Sequence, residues 1–262
     1  MEQQTKRLPA IFVGHGSPMI ALEHNALTET YKELGQTILG RFGRPKAILM
    51  ISAHWYTRGT LVQSAEKPRQ IYDMYGFPQE LYELSYKPAG HAGLTHAVQD
   101  LLGDSVAVDD SWGIDHGAWS ILTHIFPQAD IPVVQLSVNG LLSEAASYAL
   151  GEQLAVLRER GYLIMGSGNV VHNLGAVEWE NEHGSLAADR FDAFIKDAIE
   201  KRDDAKVLAF RRHPDAAYAV PTPDHFLPLL YILGAARKEQ PYVFNNVRNL
   251  GSMALTGYAF GF

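Results

Sequence analysis

Short apolar runs rich in β-branched residues, separated by stretches with helical spacing, restrict what this chain can fold into more than any other feature. The runs fall at residues 10–13, 47–51, 61–62, 106–108, 132–138 and 162–165. Strands that alternate with helices build a largely parallel sheet, because each crossover lays a helix across one face of the sheet or the other. The expected fold is therefore α/β: a mostly parallel central sheet with helices on both faces. No internal repeat, low-complexity tract or linker divides the 262 residues, so residues 1–262 read as one domain. A hydrophobic content of 47% gives it a substantial core to bury.

Three helices are legible in detail. Beyond residue 138, Ser143 suits an N-cap, Ala146, Leu150, Leu154 and Leu157 form an apolar stripe, and Gly161 falls where a helix stops. A second helix is expected over 186–201, where Phe191, Phe194, Ile195, Ala198 and Ile199 share a face that reads as core packing. A third is expected over 226–235, capped by Thr222 or Asp224, ahead of closing strands at 243–247 and 253–260. Residues 72–88 contain several Tyr, Phe and Pro residues without a sustained period, and read as an irregular excursion able to wall a pocket.

Charge and composition remove several classes of function. The net charge is −7 and no Lys/Arg-rich run is present, which disfavours nucleic acid and anionic membrane surfaces as partners and leaves a small molecule. Cysteine is absent, so disulfides, thiolate metal sites and a catalytic thiol are all excluded. The first residues lack an apolar signal core, and no stretch approaches the roughly 18 apolar residues of a membrane span, so a cytoplasmic location is expected.

Four histidines stand at or just past the carboxyl ends of expected strands. They are His15 in Gly-His-Gly-Ser-Pro, His54 in Ser-Ala-His-Trp, His116 in Asp-His-Gly-Ala-Trp and His172 in Gly-Ser-Gly-Asn-Val-Val-His-Asn. In an open α/β sheet ligands bind in the crevice beyond those ends, so the imidazoles can converge there on a metal. With no thiolate available, its ligands are restricted to imidazole, carboxylate and water.

Each histidine also has a plainer reading. His15 lies on a tight glycine-flanked turn, and a lone strand-end histidine can simply bond its own loop. His54 ends the most apolar strand and needs a partner or a metal, since burying it bare is costly. His225, in Thr-Pro-Asp-His-Phe, is expected in the first turn of the last helix, facing back over the sheet or merely exposed. His172 can be a fourth ligand or an acid/base, its ordinary pKa of about 6.5 suiting proton transfer near neutrality. His116 either offers a hydrogen bond to substrate or bound oxygen, or anchors its loop. Trp55, Trp119 and the Tyr72 to Tyr86 region can wall an aromatic site or be core. His24, His91, His96, His124, His183 and His213 sit in polar or amphipathic contexts, read mostly as surface, and carry no assigned role.

No G-x-S-x-G elbow, H-E-x-x-H pair or G-x-x-x-x-G-K-[ST] loop occurs, so serine hydrolase, zincin and NTPase readings lose their usual support. The motifs at 14–18, 52–55, 115–119 and 166–174, with Thr-Pro-Asp-His-Phe-Leu-Pro-Leu-Leu at 222–230, together resemble the type III extradiol ring-cleaving dioxygenases, in their 4,5-DOPA extradiol dioxygenase branch. The resemblance implies a single-domain α/β fold, a divalent metal, and cleavage of a catechol such as L-DOPA by dioxygen to a muconic semialdehyde. It implies that His15, His54 and His225 are metal ligands, that His172 is the acid/base and in some members also approaches the metal, and that His116 stands near oxygen and substrate. Fe(II) is the metal expected for dioxygenase activity. An all-histidine site also binds Zn(II) well, so zinc is expected in purified protein. Related protocatechuate-cleaving enzymes supply a glutamate as third ligand, where this branch uses a histidine. The protein is expected to be a monomer or small homo-oligomer. Two other readings use the same residues: a zinc-dependent hydrolase, in which the metal lowers the pKa of a bound water, and a non-catalytic metal-binding protein on the same scaffold.

Overall fold

A strand buried on both faces carries apolar side chains at every position, and the first strand does so in the computed structural model, which describes residues 6–262. Ala10 and Phe12 enter the core on one side of the sheet, Ile11 and Val13 the core on the other. The strands are β1 (Ala10–Gly14), β2 (Ala47–Thr57), β3 (Thr60–Val62), β4 (Val106–Val108), β5 (Val133–Asn139), β6 (Tyr162–Gly168), β7 (Val171–His172), β8 (Pro241–Phe244), β9 (Arg248–Asn249), β10 (Met253–Ala254) and β11 (Gly257–Phe260). The helices are α1 (Ala26–Phe42), α2 (Gln79–Glu83), α3 (Ala92–Leu102), α4 (His116–Ile125), α5 (Glu144–Leu154), α6 (Leu186–Glu200), α7 (Asp204–Leu208), α8 (Ala216–Ala219) and α9 (Leu227–Ala235).

The main sheet has the order β4-β3-β5-β2-β6-β1-β11-β8. Its centre, β5-β2-β6-β1, is parallel, while β3 and β11 join the two margins antiparallel. Helices α1 and α4 cover one face, and α5 and α9 lie against the other, with α3 and α6 contributing to the same core. This is the expected single α/β domain with a mostly parallel sheet. A small second sheet, β7-β10-β9, extends from the carboxyl end of β6.

Four local expectations are corrected. The stripe helix ends at Leu154, and a 3-10 turn over Ala155–Arg158 carries Leu157 into the core before Gly161 closes it at φ +88°. The run 253–260 is two strands, because the chain leaves β10 in the small sheet and enters β11 beside β1. Strand β8 spans Pro241–Phe244 and not 243–247, with Asn245 at φ +46° turning the chain away. Neither Thr222 nor Asp224 caps α9, which begins at Leu227 beyond His225, and the Asp224 carboxylate is taken by the His225 ring. The 72–88 excursion is largely irregular as expected, with α2 as a short helix inside it.

Candidate metal centre

The carboxyl end of β2 departs from regular pairing. Ser52 stands opposite Ser137 and Tyr56 opposite Val138, so three residues on β2 have no partner on β5. His54 is the middle one, and this bulge lifts it out of the sheet toward the crevice. His15 follows β1 directly. A Cβ on Gly14 would lie 2.6 Å from the Leu255 backbone and Gly16 has φ +61°, so the turn needs glycine on both sides of the imidazole.

The oxygen behind each ring favours a proton on the nitrogen that faces it. The Ser167 hydroxyl donates to the Gly117 carbonyl and so has no proton left for the His15 ring. At 2.8 Å it accepts from His15 Nδ1–H, which leaves His15 Nε2 as a lone pair. The ring of His225 donates from Nδ1 to the Asp224 carboxylate, and its buried Nε2 has no protein partner. His54 Nδ1 lies 3.2 Å from Asp73 Oδ2, and a carboxylate can only accept. The Nε2 atoms of all three rings are thus directed into one buried space, those of His15 and His54 at a hydrogen-bond distance of 3.2 Å, where a proton bridges them in the metal-free protein and a metal would take its place. Ligand nitrogens of His15, His54 and His225 all lie within 4.8 Å of one another. Converging lone pairs repel unless a cation sits among them, and an oxygen acceptor behind each ring is the usual support of an imidazole ligand. The donor set therefore fits a divalent transition metal, and no glutamate enters it.

Burial and the neighbouring imidazoles hold the pKa of His15 well below its ordinary value. Burial likewise lowers His225 to about 4 against the opposing pull of Asp224, and lowers His172 to about 2 with His225 adding to the effect. His54 differs: burial opposes its charge, but Asp73 and Asp115 outweigh burial and raise its pKa.

His172 is half-buried at the end of β7 and stacks on His225, ring centroids 3.5 Å apart and planes 5° from parallel. It lies against the third member of the converging set and groups with Asp224 and His225. His116 opens α4, where Asp115 accepts the Ala118 N–H at 3.1 Å as N-cap, and its ring is 3.8 Å from that of His54. All five strand-end and loop histidines singled out in the sequence thus meet at one place.

Other residues at the site escaped the sequence reading. Asp73 stands between two rings, 3.2 Å from His54 Nδ1 and 3.1 Å from His116 Nδ1. It lies in the excursion without periodicity, so no spacing signalled it. Asn169 accepts the Gly16 N–H at 3.3 Å, donates to the Ala254 carbonyl at 2.9 Å, and gives its own N–H to the His225 carbonyl at 2.9 Å. It thereby ties the His15 turn to the His225 turn. Ser167 and Asn169 both lie inside the Gly-Ser-Gly-Asn motif that precedes His172. Trp119 proves to be an anchor, fully buried with its indole N–H donated to the Ile71 carbonyl at 2.9 Å. Two histidines read as surface have structural work: His124 is buried against the Ile20 carbonyl at 2.7 Å, and His91 caps α3 by accepting the Leu94 N–H at 2.9 Å.

Among the described residues no helix is long and apolar enough to cross a membrane. Residues 9–261 match the family described as the catalytic LigB subunit of aromatic ring-opening dioxygenase. The chain is 40% identical over 241 residues to a 4,5-DOPA dioxygenase extradiol of Escherichia coli (strain K12), covering 90% of this chain and 88% of that protein. It is 35% identical over 256 residues to a 4,5-DOPA dioxygenase extradiol of Beta vulgaris, covering 95% of each. A crystal structure of an uncharacterized protein from Escherichia coli K12 superposes with a TM-score of 0.84 at 35% identity, covering 97% of this chain and all of that one.

Proposed function

The chain belongs to the LigB family of aromatic ring-opening dioxygenases, and from that premise we propose that it cleaves a catechol beside its diol, adding both atoms of dioxygen to give a muconic semialdehyde. An L-DOPA-like catechol is the proposed substrate, in line with the names of the relatives from Escherichia coli and Beta vulgaris. The observation that carries the reading is the convergence of the ligand nitrogens of His15, His54 and His225.

His15, His54 and His225 would hold a divalent iron, which would supply the positive charge that favours a catecholate and the redox chemistry that lets the ring react with dioxygen. Zinc is proposed to fill the same ligands in purified protein without supporting turnover. His172 is the proposed acceptor of a catechol hydroxyl proton, which it returns as the ring opens; burial and the His225 imidazole, which lower its pKa in the metal-free protein, oppose that uptake, and the negative charge of a bound catecholate would offset them. The ring of His116, beside His54, is the proposed hydrogen-bonding partner of oxygen or substrate. The test is anaerobic loading with Fe(II), addition of a small catechol panel including L-DOPA, then measurement of oxygen uptake and of a yellow product on admitting air. Oxygen uptake with Fe(II) and none with Zn(II) is expected. Absence of uptake with every catechol, in protein shown to retain its iron, would overturn the reading.

A further inference from the structure

We propose that Asp73 is a positioning residue that sets the proton position of two imidazoles together, holding His54 as a metal ligand and His116 with its far nitrogen free for the substrate. The inference rests on the metal reading above and extends it to a residue outside the converging triad.

The geometry is specific. Asp73 Oδ1 accepts the backbone N–H of His116 at 2.9 Å, which ties the carboxylate to the first residue of α4. From that anchored position Oδ1 lies 3.1 Å from His116 Nδ1 and Oδ2 lies 3.2 Å from His54 Nδ1. The two rings are 3.8 Å apart, so one carboxylate faces both from the same side. Neither the Oδ2–His54 Nδ1 contact nor the Oδ1–His116 Nδ1 contact reaches hydrogen-bond alignment in this conformation, so the orientation of the carboxylate decides how the two N–H groups share it. An ionised carboxylate has acceptor sites on both oxygens and no donor, so each ring facing it must place its proton on Nδ1. For His54 that exposes Nε2 to the metal. For His116 it leaves the nitrogen opposite Asp73 free to accept a hydrogen bond from a substrate hydroxyl, and on taking that proton the ring becomes a donor to oxygen. His15 and His225 have separate partners in Ser167 and Asp224, so Asp73 links the metal ligand set to the substrate side.

Asparagine at this position replaces two acceptors by one acceptor and one N–H donor at nearly constant shape. One of the two imidazoles must then turn a lone pair toward residue 73 and carry its proton on Nε2. The experiment uses full-length protein with 15N-labelled histidine, metal-free and Zn(II)-loaded, to read the protonated nitrogen of each ring by NMR. It pairs those spectra with Zn(II) affinity by chelator competition, for the parent and for Asp73→Asn. In the parent, His54 and His116 are both expected to be protonated at Nδ1. In Asp73→Asn one of them switches, and if it is His54 the Zn(II) affinity falls about 10- to 100-fold.

A parent protein in which either ring carries its proton on Nε2 and none on Nδ1 overturns the proposal without any variant. So does an Asp73→Asn protein with both Nδ1 protons retained and unchanged Zn(II) affinity. The metal-free spectra decide the matter even if the parent binds no zinc, an outcome that would count instead against the metal centre. Unchanged thermal unfolding of metal-free Asp73→Asn separates a loss of positioning from a loss of fold.

Discussion

The imidazole of His172 lies face to face with that of His225, 3.5 Å away and within 5° of parallel. His225 is held from its other edge by Asp224, so the proposed acid/base is located by packing on a proposed ligand rather than by a hydrogen bond of its own. Position and proton transfer can therefore be separated. His172→Phe keeps a flat ring for the stack and removes the titratable nitrogen. It should lower kcat by about 10²- to 10⁴-fold while metal affinity changes little. Steady-state oxygen uptake and chelator competition on the same preparation check this, and parent-like turnover in His172→Phe would remove His172 from the chemistry.

Metal binding should stabilise the folded state, because the three converging nitrogens exist as a set only when the sheet is formed. A ligand at one hundred times its Kd adds about 2.7 kcal/mol, which for a chain of this size is an upward Tm shift of about 5 to 10 °C. Calorimetric melts with and without Zn(II) should show that shift in the parent and lose it in His15→Ala, His54→Ala and His225→Ala. An equal shift in all three variants would place the metal elsewhere.

Ser167→Ala removes the acceptor behind His15 and the donor to the Gly117 carbonyl in one change. The freed buried carbonyl costs about 1 to 3 kcal/mol of stability. Loss of the ring's support should weaken metal binding about tenfold or more. Urea unfolding of the metal-free protein and Zn(II) competition read the two effects apart, and unchanged affinity would show that the His15 ring is oriented by other contacts.

How much of this was visible in the sequence depended on whether the cause was local. β1 and residues 47–51 of β2 were legible because residues buried on both faces are apolar at every position there, and His15 because glycine, serine and proline mark a turn in one dimension. The division of 253–260 between two sheets was not legible, since both halves are apolar and only their partners differ. Asp73 and Asn169 were missed for a related reason: each acts on residues distant in the chain, and nothing in their flanking sequence records the other end of the bond. Asp224 was visible but misassigned as a cap, because a helix N-cap and a carboxylate behind an imidazole place the same residue type just ahead of a helix.

Gly117 is the position where a single methyl group should reach the centre. A Cβ there would lie 2.7 Å from the His54 ring and 2.8 Å from Ser52 Oγ, inside the bulge that presents His54. Ser52 donates to Asp115 at 2.6 Å, so it has little room to yield, and the His54 ring must move. Gly117→Ala should weaken metal binding by tenfold or more, about 1.4 kcal/mol or above, which is within the 1 to 3 kcal/mol typical of an overpacked site and is felt at the ligand because the clash falls on the His54 ring. Chelator competition measures it, and parent-like affinity would mean that the bulge relaxes without displacing His54.

Acid should destabilise the metal-free protein across a defined window. The His225 imidazole takes up a proton at about 4 in the folded chain, against an ordinary value of 6.5, because burial outweighs the attraction of Asp224. Below pH 6.5 the unfolded chain binds this proton and the folded chain does not, so stability is fully present above 6.5 and is lost as pH falls through about 4. His172, lowered to about 2, and His15 and His116, also lowered, act with the same sign. His54 opposes them: its raised pKa gives stability that is present below 6.5 and lost as pH rises through the raised value. Within this cluster four lowered imidazoles against one raised one give a net fall in stability on acidification, and His124, lowered by burial, adds to it. Urea midpoints between pH 7.5 and 4 should therefore decline, with a shallower decline in His225→Gln, which takes one of the four out of the balance. Bound metal requires the same nitrogens proton-free, so the loaded protein should lose its extra stability over the same range and release its metal. Midpoints that stay level or rise from pH 7 to pH 5 would mean that these imidazoles are charged, or solvated, in the folded protein.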